Sequence, residues 1–273
     1  MSTKISIDNH FIDCLLRCEE TIREKIISRF RGNRFSLYVC SEFMDELFGI
    51  YETNHSSELL KQKLTIFLQL MGHRIFQSWH SIVRSELNRE NGGVFENSTM
   101  VNNLKENIRD LLKARTPAPG VVALLKRIRA RKEKQKEYYS GLRSEVLKLV
   151  RGMERPDFEE HFNSPEVRAQ RVKFLNGLIE IEMSESQKNE VLDQPDRYPY
   201  YSISSRILHG LFYWYHAKGK EVDMNDFYDA SQLIYTAHLD YFISNEKRLK
   251  EWDKLFIRSN KILNFTEFIQ LVN

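Results

Sequence analysis

Apolar positions along this chain change their spacing several times, and each change marks an element. Near the start Lys4-Ile5-Ser6-Ile7 alternates polar with apolar, which predicts a short strand, and Asp8-Asn9 follows it directly. From Asn9 to Arg31 the residues Phe11, Ile12, Leu15, Leu16, Ile22, Ile26 and Ile27 recur at helical spacing until Gly32-Asn33 stops them. Phe35 to Val39 predicts a second strand. Ser41 is placed to cap a helix running to about Tyr51, and Leu59, Leu60, Leu64, Phe67 and Leu68 stripe another from Ser57 to Gly72. Arg74 to Gln77 predicts a third short strand, ahead of a segment carrying Trp79, Ile82, Val83 and Glu86. Strands alternating with helices predict an α/β fold, a parallel sheet flanked by helices. In such sheets ligands bind beyond the carboxyl ends of the strands.

From about 89 to 195 the rhythm breaks. Asn91-Gly92-Gly93 reads as a loop, and Thr116-Pro117-Ala118-Pro119-Gly120 reads as a turn that restarts a long helix. Val121 to Arg151 is helical in pattern and strongly basic, with Lys126, Arg127, Arg129, Arg131 and Lys134 at its head. Pro156 ends it, and Ser164-Pro165-Glu166 opens a helix to about Met183. The expected organisation is a core in two parts, 1–88 and 196–273, with 89–195 as a large helical insertion. An apolar helix through Ile207 to Tyr215 re-enters the core. The last strand candidate, Tyr241 to Ile243, lies between the acid-rich run Asn225-Asp226-Phe227-Tyr228-Asp229 and the polar triplet Ser244-Asn245-Glu246.

Composition narrows the picture little. The net charge of +3 over 273 residues neither demands nor excludes nucleic acid, so the placement of charge decides. Cys14, Cys18 and Cys40 have no zinc-like companions, and the histidines show no ligand spacing. The N-terminus lacks the apolar core of a signal peptide, and no run approaches the roughly 18 apolar residues that span a bilayer. A cytoplasmic protein that avoids the membrane is expected. No Gly-rich phosphate loop or Gly-x-Ser-x-Gly elbow is present.

The chemistry lies in the acids. A carboxylate just beyond a strand (Asp8), another in the helix after the second strand (Glu46), a pair one turn apart (Asp226, Asp229) and one beyond the last strand (Glu246) can converge at one end of a sheet. Hard oxygens of that kind select Mg²⁺ or Mn²⁺. Each acid also has a plainer reading, as a turn former, a helix cap, or a surface residue.

This order of motifs resembles the PIN and PIN-like nucleases. In that family a first strand ends in Asp, a Glu follows on the second helix, a third acid opens a later helix, and Thr-x-Asp follows the fourth strand. Asp8, Glu46 and Asp229 stand at the first three places, with Gln232 where one version of the third motif has His, and Ser244-Asn245-Glu246 at the fourth. Glu246 lengthens the arm relative to Asp. The resemblance covers residues 4–90 and 195–260. It implies a divalent-metal-dependent endonuclease, with Asp8, Glu46, Asp229 and Glu246 as catalytic acids, Asp226 joining them on the ion, and Asn9, Ser244 and Asn245 in support. It further implies single-stranded RNA as substrate and control as a toxin or antiphage effector, with the basic helix touching RNA and the insertion receiving a regulatory or assembly partner. Two alternatives stay open: a catalytically inactive PIN-like binding or scaffold protein, and a helical interaction module with a coincidental acid pattern.

Overall fold

Strand β1 spans Thr3–Ile7, and its apolar positions Ile5 and Ile7 are buried. Phe35–Val39 (β2), Arg74–Ile75 (β3), Tyr241–Ile243 (β4) and Ile262–Leu263 (β5) complete a five-stranded sheet in the order β3-β2-β1-β4-β5. Every pairing is parallel: Ile5 sits opposite Leu37 on one side and Tyr241 on the other, Val39 opposite Ile75, and Ile243 opposite Leu263. The computed structural model describes residues 2–40, 42–47, 58–70, 74–89, 93–113, 126, 130, 133, 157–218, 220 and 222–272. Its α/β class and parallel sheet flanked by helices are those expected from the pattern of the chain.

The strand order places the functional end. From β1 the chain steps outward one way through β2 and β3; β4 and β5 add on the other side. The direction of winding therefore reverses between β1 and β4, where a crevice opens beyond the strand carboxyl ends. Asp8 leaves β1 there and Ser244 leaves β4, and the two strand ends are tied by the Asp8 N–H donating to Ile243 O at 3.2 Å. Asp240 belongs to the opposite end. Its Oδ2 accepts from the Lys4 N–H at 2.8 Å, which fixes the turn into β4 and removes it from the acid cluster.

Helix Pro199–Ala217 is the central packing element, in contact with helices Trp79–Leu87, Pro165–Ile179 and Met224–Gln232 and with the π-helical turn Asp253–Ile257. Gly210 allows one of these contacts: a Cβ there would stand 2.5 Å from the Phe256 ring. The N-terminus of this helix is capped from afar. Glu86 accepts from the N–H of Tyr200 at 3.1 Å and of Tyr201 at 2.7 Å. Burial pushes the Glu86 carboxyl up to about 7 despite those donors.

Helices Ser98–Lys113, Phe158–Asn163 and Pro165–Ile179 contribute Ile108, Phe158, Leu175 and Ile179 to the same buried cluster as the sheet. The described parts of 89–195 thus share a core with the rest. Some boundaries differ from expectation. The third strand is shorter, because Phe76 turns to an antiparallel bridge with Phe95. The helix from Pro165 stops at Ile179, where Glu180 takes a left-handed conformation at φ 53°, short of Met183. Strand β5 and the terminal helix Phe265–Val272 had no signal in the reading of the chain. Among the described residues no helix is long and apolar enough to cross a membrane.

Candidate functional site

Asp8 begins the site because β1 ends there and a helix begins one residue later. It is the N-cap of Asn9–Arg17, with Oδ1 accepting from the Phe11 N–H at 2.9 Å. Its other oxygen accepts from the Ser244 hydroxyl, which joins the ends of β1 and β4 through side chains. Asp8 is 4% exposed. Burial raises its carboxyl above the usual range, and the Ser244 and Phe11 donors partly offset this.

Asn9 reaches across to the helical stretch 42–47, donating from Nδ2 to Glu46 Oε2 at 2.8 Å. Gln232 holds the other Glu46 oxygen, Nε2 to Oε1 at 3.3 Å. Where the resemblance expects a histidine, a buried amide orients the second acid. Asn9 Oδ1 is buried without a hydrogen-bond partner.

Helix Met224–Gln232 supplies the next two acids. Its N-cap is Asp223, whose Oδ1 accepts from the Asn225 N–H at 2.8 Å, so Asp226 falls in the first turn and Asp229 one turn further on. Three residues apart, they share a face. Asp229 therefore lies inside the helix rather than opening it. Burial, then the charge of Glu46, pushes its carboxyl up to about 7; Arg248 pulls the other way, and Glu246 and Asp226 add to the repulsion. Glu42, Glu46, Asn225, Tyr228 and Asp229 line a cleft of about 200 Å³.

Glu246 precedes helix Lys247–Trp252 and stands 3.2 Å from His10 Nε2. The residue that links it to the other acids is Arg248. Its Nη1 donates to Asp226 Oδ1, and its Nη2 lies 3.5 Å from Asp229 Oδ2 and 3.7 Å from Glu246 Oε2. Arg248 escaped the reading of the chain. The available signal was its position: a cation in the first turn of a helix opposes the helix dipole and needs a compensating reason.

The five expected acids fall into two bonded groups: Ser244 accepts from the Glu246 N–H at 3.0 Å while holding Asp8, and Arg248 joins Glu246 to Asp226 and Asp229. Glu46, held by Asn9 and Gln232, acts on Asp229 by charge. Among the described residues no three His, Cys, Asp or Glu side chains form a ready-made metal shell. The contacts give the physical reason, since a guanidinium stands among three of the acids and two amides hold the fourth. In kind, however, carboxylates with an unpartnered buried amide oxygen suit a hard divalent cation.

The supporting residues divide. Asn9 and Ser244 touch the acids directly. Asn245 turns away, donating to Cys14 Sγ at 3.0 Å and accepting from the Phe265 N–H at 3.0 Å, where it steadies the start of the terminal helix. Of the basic group, Lys126 is helical and exposed; Arg127, Arg129, Arg131 and Lys134 lie outside the described residues, as does the Ser41 cap. No protein-family model, curated protein or solved structure matches the chain.

Proposed function

We propose that this chain is a PIN-like, divalent-metal-dependent endonuclease cutting single-stranded RNA. The observation that carries the reading is the meeting of Asp8, Asn9, Glu46, Asp226, Asp229 and Glu246, drawn from distant parts of the chain, at the carboxyl end of a parallel sheet where its winding reverses. Asp8, Glu46, Asp229 and Glu246, joined by Asp226, would hold Mg²⁺ or Mn²⁺. When bound, the ion supplies positive charge to the phosphorane oxygens and lowers the pKa of attacking water.

The chain's own groups do the rest. Ser244 and the Phe11 N–H fix the Asp8 carboxylate, and Asn9 with Gln232 fixes Glu46, so both oxygens are oriented before substrate arrives. Burial and the charge of Glu46 hold the Asp229 carboxyl near 7 without an ion, and a bound cation would favour its ionised, ligating form. Tyr228 and Asn225, lining the same cleft, offer a ring and an amide to a base. Uncontrolled RNA cleavage is toxic, so control as a toxin or antiphage effector belongs to this reading, with the segment 89–195 as the place for a regulator.

Labelled single-stranded RNA and DNA, incubated with the purified chain and Mn²⁺, test the proposal. RNA cleavage that EDTA stops and that Asp8→Asn and Asp229→Asn abolish supports it. Cleavage that survives either substitution excludes the acids as catalysts.

A second reading has one specific observation in its favour. Arg248 already pairs with Asp226, Asp229 and Glu246, as in a structural salt-bridge network. On that reading the chain is a binding or scaffold protein, and Mn²⁺ neither binds nor stabilises it.

A further inference from the structure

The acids face a cation that belongs to the chain. Arg248 reaches three carboxylates with two nitrogens, and its side chain is 43% exposed. Asp226, at 3% exposure, has little other compensation for its charge; Asp229 and Glu246, at 24% and 33%, are partly buried. The two longer contacts, 3.5 Å to Asp229 and 3.7 Å to Glu246, are ion pairs beyond ordinary hydrogen-bond length. The grip on Asp226 is the strong one, and the other two are loose.

We propose that Arg248 is an exchangeable counter-ion: a divalent cation entering between Asp229 and Glu246 displaces its guanidinium, which then takes a non-bridging phosphate oxygen of the RNA. The inference rests on the metal-dependent reading above and deepens it. Two cations cannot share one pair of carboxylates without strong repulsion, because like charges a few ångströms apart repel strongly where little water screens them. Displacement need not free the whole side chain. On this account Asp226 keeps Nη1 instead of joining the ion while Nη2 swings outward, so the arginine stays positioned at the rim of the cleft. A guanidinium presents paired donors that match a phosphate, and a nuclease with negative walls needs one such group to draw in an anionic substrate. Among the described residues His10, with Nε2 3.2 Å from Glu246 Oε1, is the other basic group in contact with that acid.

Isothermal titration of the full chain with Mn²⁺ compares the wild type with Arg248→Met and Arg248→Lys. Removing the competing charge tightens Mn²⁺ binding in Arg248→Met by about tenfold, while Arg248→Lys stays within about threefold of the wild type. In a thermal melt Mn²⁺ raises the midpoint of Arg248→Met by more degrees than that of the wild type, which reads the same exchange in a variant of lowered stability. Fluorescence anisotropy with a fluorescein-labelled single-stranded RNA, in Ca²⁺ to slow cleavage, gives at least a tenfold loss of RNA affinity for Arg248→Met. Unchanged or weaker Mn²⁺ binding in that variant overturns the exchange and leaves the metal reading standing. Mn²⁺ binding to neither protein overturns both.

Discussion

Asn9 donates to Glu46 at 2.8 Å, and that bond joins the second residue after β1 to a helix 37 positions further along the chain. The same asparagine follows Asp8, which Ser244 holds from the end of β4. Two consecutive residues therefore fasten three parts of the polypeptide at one point. The consequence is that site geometry and fold stability are partly separable, because these fastenings are polar side-chain bonds and not core packing.

Asp8→Asn tests that separation. Asparagine caps helices as well as aspartate does, so the start of Asn9–Arg17 survives and the melting temperature changes little. Nuclease activity falls by a factor of 100 or more, since removing a carboxylate that binds charge in the transition state costs about 3 kcal/mol. Circular dichroism and the RNA assay together check it. Asp8→Ala, which loses the cap as well, is less stable by about 1 kcal/mol.

Asp229 sets a pH dependence. Its carboxyl titrates near 7 in the folded chain against an ordinary 3.8. A carboxyl raised on folding binds its proton more tightly in the native state, so its stabilising effect is full below 3.8 and is lost as pH rises to about 7. Asp229→Asn is accordingly more stable than the wild type at about pH 8, by on the order of 1–3 kcal/mol, and the gap closes below about pH 4. Urea melts at the two pH values measure it. Mn²⁺ binding at about pH 6 also releases close to one proton, visible in titrations run in buffers of different ionisation enthalpy.

His161 and His209 provide the opposite slope. Their Nε2 atoms stand 3.0 Å apart inside the helical layer. Burial, then the neighbouring His161 and Arg171, lowers His209 to about 3, and burial and Arg171 lower His161. A base lowered on folding is kept neutral in the native state, so its contribution is full above 6.5 and drains away as pH falls toward 3. His209→Gln keeps a hydrogen-bonding group and loses less stability between about pH 7 and 5 than the wild type does. Equal losses would contradict the assignment.

Gly210→Ala examines the central helix. The added Cβ would meet the Phe256 ring at 2.5 Å, and the ring sits in a filled core. Overpacking of this kind costs about 1–3 kcal/mol. A lowered thermal midpoint with Mn²⁺ affinity retained is expected, because the added Cβ meets Phe256 and not the acids.

The chain disclosed its local features more readily than its long-range ones. β1, β2 and β4 were legible because their apolar runs are short and bounded by Asp8, Gly32-Asn33 and Ser244. The acids stood out by their places around the strands, and Asp8 also has the plainer duty of capping Asn9–Arg17. Arg248 was not, since its purpose appears only once Asp226, twenty-two positions earlier, is folded beneath it. Glu86 likewise reads as an ordinary helix acid until the N-terminus of Pro199–Ala217 arrives over it. Asn245 misled for the converse reason: its place in Ser244-Asn245-Glu246 suggested the cleft, but the turn into the terminal helix claimed its side chain. β5 has two paired residues and too little pattern to announce itself.

A crystal soaked in Mn²⁺ and measured at the manganese absorption edge bears most directly on the acid cluster. A hard-cation site at the strand ends gives an anomalous peak within about 2.5 Å of at least two of Asp8, Glu46, Asp229 and Glu246, with Arg248 moved away from Asp229. Arg248 still paired with Asp229 and Glu246, and no manganese between them, would contradict it.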